Sequence, residues 1–119
     1  NLPSAAVKNR SGKFIEPTLA AISEAGNVPF PEDTLISIVD TKSSKGYPIS
    51  GISWVILYKD QSYDDRAIGQ ARELKSLLKW MVSKGQRYVE PLHYAALSDE
   101  VTIKAKAIID RLTYNGKSF

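Results

Sequence analysis

Apolar positions along this chain change rhythm near residue 46. Before it they fall in short groups broken by turn-formers; after it come one dense run and two long stretches of helical spacing. In "SAAVKNRSGKFIE", residues 4–16, the pattern predicts two short extended pieces, around residues 5–8 and 13–15, joined through Ser11-Gly12. Pro17 can open a helix without losing a needed donor, and "TLAAISEAG" supplies one, with Leu19, Ile22 and Ala20 facing inward and Gly26 ending it. "NVPFPED" holds two prolines and reads as irregular. In "TLISIVD", Leu35, Ile36, Ile38 and Val39 are interleaved with small polar residues and predict a strand.

The dense run lies in "GYPISGISWVILYKDQ", residues 46–61. A strand is predicted over residues 49–58, and its stretch from Ile52 to Tyr58 is apolar enough to need cover on both faces. Such strands belong to mostly parallel sheets with helices on either side. Two amphipathic helices follow. In "DDRAIGQARELKSLLKWMVSKG", Asp64 or Asp65 can cap the start and Lys84-Gly85 mark the end, with Ile68, Ala71, Leu74, Leu78, Met81 and Val82 on one face. In "SDEVTIKAKAIIDRL", Ser98 caps, Asp99 and Glu100 suit the positive first turn, and Val101, Ala105, Ile108 and Leu112 form the buried stripe. One neighbouring strand and two helices do not make up a sheet of this kind, so partner strands are expected from outside these residues.

Composition adds bounds. The 119 residues correspond to about one domain, and a hydrophobic share of 43% with 24% charged residues argues against intrinsic disorder. The net charge is +3, but lysines and arginines are interleaved with acids throughout, which argues against a nucleic-acid partner. Cysteine is absent, which removes disulfides, thiolate catalysis and cysteine-bound metal. No apolar segment approaches the roughly 18 residues of a membrane span. The start, Asn1-Leu2-Pro3-Ser4, has neither the basic leader nor the apolar core of a signal peptide, so a mature, processed or partial chain is expected.

No motif carries a reaction. "PISGIS" lacks the Gly-x-Ser-x-Gly order of a nucleophile elbow, and its serines precede the strand; the single histidine, His93, reads most simply as a packed or surface loop residue. "DQSYDD" lacks the ligand spacing and the glycine of a calcium loop. Asp40, Asp60 and Glu90 could each enter a carboxylate pair, with nothing to favour any two. "TKSSKG" and "NRSGKF" hold phosphate-cradle residue types without the order, and no helix follows the first. Asn9-Arg10-Ser11 is formally a glycosylation acceptor. No enzymatic activity, cofactor or metal site is expected.

The order of several patches carries a resemblance. Pro48-Ile49-Ser50, the small residues Gly51 to Ser53, the apolar Trp54 to Tyr58 and the ending Lys59-Asp60-Gln61 resemble the C-terminal part of the substrate-binding protein of phosphate-specific ABC transporters. The likeness continues through Leu77 to Trp80, Gly85, then Leu92, Tyr94, Ala95, Leu97 and Val101, and into the tail "YNGKSF". The opening "VKNRSGKFIEPT" is similar to that family's strand-turn-strand before a proline-initiated helix.

The resemblance implies an α/β fold of the periplasmic-binding-protein-like, two-lobed type II kind, closing on phosphate as a hinged clamp. Residues 1–46 would end one lobe; residues 47–119 would supply a crossing strand and the C-terminal helices of the other. The implied role is capture of inorganic phosphate outside the cytoplasm, in the periplasm or on the outer face of the cell membrane, for delivery to an ABC-transporter permease. The implied partners are therefore phosphate, the N-terminal remainder of the protein and that permease. The family's phosphate ligands come from segments N-terminal to this region. Asp60, Arg66 and Arg72 have suitable side chains but match no ligand motif, so no phosphate-binding residue is assigned. The other expectation is a small α/β interaction module, without a ligand site, that docks onto another polypeptide.

Overall fold

The computed structural model describes residues 3–119, so Asn1 and Leu2 of the opening segment lie outside it. The first hairpin forms as its sequence dictates. Strands β1 (Val7–Lys8) and β2 (Phe14–Ile15) pair antiparallel, Val7 opposite Ile15 and Lys8 opposite Phe14. Gly12 closes the turn at a φ of +84°, a region open to glycine. Helix α1 (Leu19–Ala25) starts one residue later than Pro17 suggests: Thr18 is the cap, its Oγ1 accepting from the Ala21 amide at 3.1 Å. Its buried face consists of Ala21 and Ala25, while Leu19 and Ile22 are half-buried and Ala20 is exposed. Small residues face inward because the following loop crosses against this helix. Gly46 lies so close that a Cβ there would meet the Ala25 Cα at 2.9 Å.

Helix α2 (Ile68–Met81) begins after Asp64 and Asp65, not on them. Both aspartates sit in a short 3-10 turn, Tyr63–Asp65, with φ of 51° and 54°. That left-handed backbone, which aspartate tolerates better than most residues, does not lead directly into a right-handed helix. Two further 3-10 turns, Lys84–Tyr88 and Glu90–Leu92, connect α2 to α3 (Asp99–Asp110). Ser98 caps α3 as its sequence predicts, with Oγ accepting from the Val101 amide at 3.4 Å. A last hairpin, β3 (Thr113–Tyr114) and β4 (Lys117–Ser118), turns at Gly116.

The buried apolar residues form two small clusters. Phe30, Ile38 and Val101 make one, with Ile36, Ile52 and Leu97 against it. Leu78, Ile109 and Leu112 make the other, with Leu57, Leu74 and Phe119 against it. Helix α3 contributes to both, Val101 to the first and Ile109 to the second. Those eight residues span about 12 Å of helix. The extended step from Ile52 to Leu57 spans about 17 Å, so this segment runs alongside α3 and touches each cluster once.

Residues 34–39 and 49–58 are extended but form no paired strand, contrary to both strand expectations. A strand is completed by its neighbour's backbone, and no segment among the described residues supplies one. One short parallel pairing lies just beyond. Thr113 donates its amide to the Lys59 carbonyl at 2.9 Å and accepts from the Gln61 amide at 2.8 Å. The extended segment, two helices and Thr113 thus make a parallel crossover, and the helices and short strands are compatible with an α/β class.

The molecule measures 52 × 30 × 23 Å, with a radius of gyration of 17.3 Å. A self-contained domain of this length has a radius near 13–14 Å. Its accessible surface is 8441 Å², against about 6,400 Å² expected for a folded monomer of this mass. The excess is about 2,000 Å² by the same scaling.

Candidate functional site

Two extended arms, residues 34–40 and 48–54, face each other across an open groove of about 460 Å³ lined by residues 35–39 and by Ser50, Gly51, Ile52 and Trp54. At the base, the Asp40 amide donates to the Pro48 carbonyl at 2.9 Å. Six residues further along each arm, the Trp54 indole Nε1 donates to the Thr34 carbonyl at 3.4 Å. The arms are therefore antiparallel and in register. Between those two contacts no backbone hydrogen bond joins them, and at the far end a side chain spans what a backbone bond would bridge in a closed hairpin.

The base is held from two sides. Asn9 is buried and donates Nδ2 to the carbonyls of Ser43, Ser44 and Gly46 at 3.3–3.4 Å. Its Oδ1 accepts from the Ser11 amide at 3.1 Å, the Ser11 hydroxyl at 2.7 Å and the Lys13 amide at 3.2 Å. From α1, the Ala21 carbonyl accepts from the Tyr47 amide at 3.0 Å. The groove's hydroxyls are occupied locally: Ser50 Oγ donates to the Tyr47 carbonyl at 2.7 Å, and Ser37 Oγ accepts from the Val39 amide at 3.4 Å. An apolar trough without convergent free polar groups does not suit a polar ligand.

Beyond the groove the second arm remains exposed. Ile56 is 96% accessible and Val55 60%. The segment then ends in a polar knot. The Asp60 carboxylate accepts from the Ser62 hydroxyl at 2.6 Å, the Gly116 amide at 2.7 Å, the Thr113 hydroxyl at 2.9 Å and the Ser62 amide at 3.0 Å. The Ser62 hydroxyl, then the Gly116 amide, hold this carboxyl well below the usual carboxylate range. Beside it Gln61 is wholly buried, its Oε1 accepting from Arg66 at 2.7 Å, and Arg66 also donates to the Tyr63 hydroxyl at 3.0 Å. Asp60 and Arg66 thus sit five bonds deep in a fastening between the arm's end and the last hairpin.

The other residues with candidate chemistry are dispersed. Asp40 accepts from the Arg10 amide at 2.8 Å and pairs with its guanidinium at 3.5 Å, in the open. Glu90 begins a 3-10 turn and His93 ends it, exposed and with a φ of 63°. Among the described residues, no hydrogen bond joins the His93 side chain to a serine or a carboxylate, and no group of three or more acidic or histidine side chains converges as a metal would require. Arg72 lines a shallow basic trough with Lys75, Lys79, Asp110 and Phe119, where Lys79 pairs with Asp110. The signal that sequence reading missed was Asn9: its place in a glycosylation triplet hid a buried structural amide. No described helix is long and apolar enough to cross a membrane.

No family model matches the chain. It is similar to the phosphate-binding protein PstS of Methanocaldococcus jannaschii, at 27% identity over 103 residues. That match takes in 79% of this chain and 26% of the relative. The chain therefore spans about a quarter of the length of the curated relative it matches. The aligned relative is by its name a binding protein, not an enzyme.

Proposed function

We propose that this chain is the C-terminal portion of an extracytoplasmic phosphate-binding protein, which captures inorganic phosphate and presents it to an ABC-transporter permease. The observation that carries this reading is the similarity to the Methanocaldococcus jannaschii phosphate-binding protein along most of the chain. Residues 1–46 would end one lobe of a two-lobed type II binding protein. Residues 47–119 would return through a crossing strand and complete the other. The exposed apolar arm supports the reading physically, because Val55 and Ile56 lack the cover that a complete lobe provides. The anion-holding groups would lie outside these residues, in keeping with the local bonds that already occupy Asp60 and Arg66.

The same exposed arm would serve a small interaction module that docks onto another polypeptide without binding phosphate, and calorimetry separates the two. The intact mass of the protein from its source establishes the complete polypeptide, which is then titrated with inorganic phosphate alongside the 119-residue chain. The expected result is micromolar binding by the complete protein and none by the short chain. Phosphate binding by the short chain alone would show that the ligand groups have been misplaced. No binding by the complete protein would leave the docking module as the better reading.

A further inference from the structure

We infer that the groove between residues 34–40 and 48–54 is an acceptor for an inserted β-strand, supplied by a segment of the same polypeptide outside these 119 residues. This deepens the function proposed above and rests on its premise that the protein continues beyond the chain described.

The first ground is backbone bonding. The amides of residues 36–38 and 51–58 find no backbone partner within the chain, and neither do the carbonyls that alternate with them across the groove. Unpaired donors and acceptors in extended conformation are a template for another strand. Two such edges face each other here, antiparallel and in register, so one strand between them would satisfy both. The second ground is rigidity. Asn9, Ala21 and the Asp40–Pro48 bond fix the base, and Trp54 reaches to Thr34 at the far end. The opening is thus held by bonds at both ends.

The occupant follows from chemistry and area. Ile36, Ile38 and Ile52 already back onto α3, while Leu35, Val39 and Val55 point away and are exposed. A strand seated here meets apolar neighbours on both faces, so it must itself be apolar. A surface excess of about 2,000 Å² exceeds the share one partner buries in an ordinary binary complex, about 800 Å², and is of the size that permanent associations bury. The relative in which only about a quarter is matched leaves ample chain for such cover. A second copy of this chain would extend one free edge and leave the facing edge bare.

Amide hydrogen exchange tests the inference on the 119-residue chain and on the complete protein, with the amides of α2 and α3 as the internal reference for folding. The expected result is rapid exchange at residues 36–38 and 51–57 in the short chain at every concentration, and exchange slowed by roughly a hundredfold or more on both arms in the complete protein. Slowing on one arm only would mean addition at an edge and would overturn insertion. Slowing that appears in the short chain as its concentration rises would identify a second copy as the occupant, and would equally overturn it. No slowing in the complete protein would do the same. Phosphate titration of that sample keeps the two ideas apart: two protected arms without phosphate binding would remove the transport function and leave the inserted strand standing.

Discussion

The side chain of Asn9 donates to the carbonyl of Gly46 at 3.3 Å, joining points 37 residues apart in the chain. The same amide nitrogen serves Ser43 and Ser44, so the first hairpin and the loop at the base of the groove behave as one piece. Asn9→Ala leaves several buried backbone groups unpaired and is expected to cost about 2–3 kcal/mol in a urea titration followed by circular dichroism. Asn9→Asp should cost more, since it turns a carboxylate oxygen toward three carbonyls. An unchanged midpoint for either would show that the loop is not held this way. The triplet Asn9-Arg10-Ser11 should also remain unmodified in a glycosylating host, as judged by intact mass, because its nitrogen is buried and occupied.

Gly46 meets α1 from the other side of that loop. A Cβ at this position would lie 2.9 Å from the Ala25 Cα and 3.1 Å from its nitrogen. Both are backbone atoms of a buried turn and have nowhere to go. Gly46→Ala should therefore lower stability by about 1–3 kcal/mol, as overpacking does. The control is Gly51→Ala, where a Cβ would touch nothing within 4 Å. A similar small effect from both substitutions would mean that the loop and α1 do not approach so closely.

Local signals were legible and non-local ones were not. Ser98 could be named as the cap of α3 because its preference acts within one turn of helix. The hairpin around Gly12 and the inward stripe Val101 to Leu112 were readable for the same reason. Asp64 and Asp65 looked equally suitable as caps, yet their left-handed backbone moved the start of α2 to Ile68. The inward face of α1 was misjudged because burial there is set by how closely Gly46 approaches, which favours Ala21 and Ala25 over the larger Leu19 and Ile22. The apolar run from Ile52 to Tyr58 was rightly read as needing cover, but a strand also needs a partner's backbone, and periodicity does not say where that lies. The knot at Asp60 had no sequence signature at all, since Thr113 and Gly116 come from the far end of the chain.

That knot gives the fold a predictable acid response. The Asp60 carboxyl titrates below its ordinary range in the folded chain, chiefly through the Ser62 hydroxyl and the Gly116 amide. A carboxylate depressed by folding contributes stability that is fully present above its unfolded value of about 4 and is lost as pH falls toward the folded value. Glu100, held down by Lys104 and the Phe30 amide, and Asp110, held down by Lys79, act in the same direction. Urea midpoints should thus hold steady from neutral pH to about 5 and fall below about 4. Asp60→Asn should be less stable at neutral pH and lose less on acidification, with a residual slope from Glu100 and Asp110. Parallel pH curves for the two proteins would place the acid sensitivity elsewhere.

Ile56 separates a face made for a partner from one that is merely exposed. It is 96% accessible, so Ile56→Lys should shift the unfolding of the short chain by no more than about 0.5 kcal/mol. In the complete protein the same lysine would be forced into an apolar, covered position, where an unpaired charge costs several kcal/mol. The expected outcome is a large loss of thermal stability there, with phosphate affinity falling only as the folded fraction falls. Lys59→Ala, next to the knot on an exposed position, serves as the comparison that should affect neither protein. If Ile56→Lys is as silent in the complete protein as in the short chain, the second arm stays open to water after all. Its apolar run would then be an unprotected edge, and aggregation at raised protein concentration would be the property to look for.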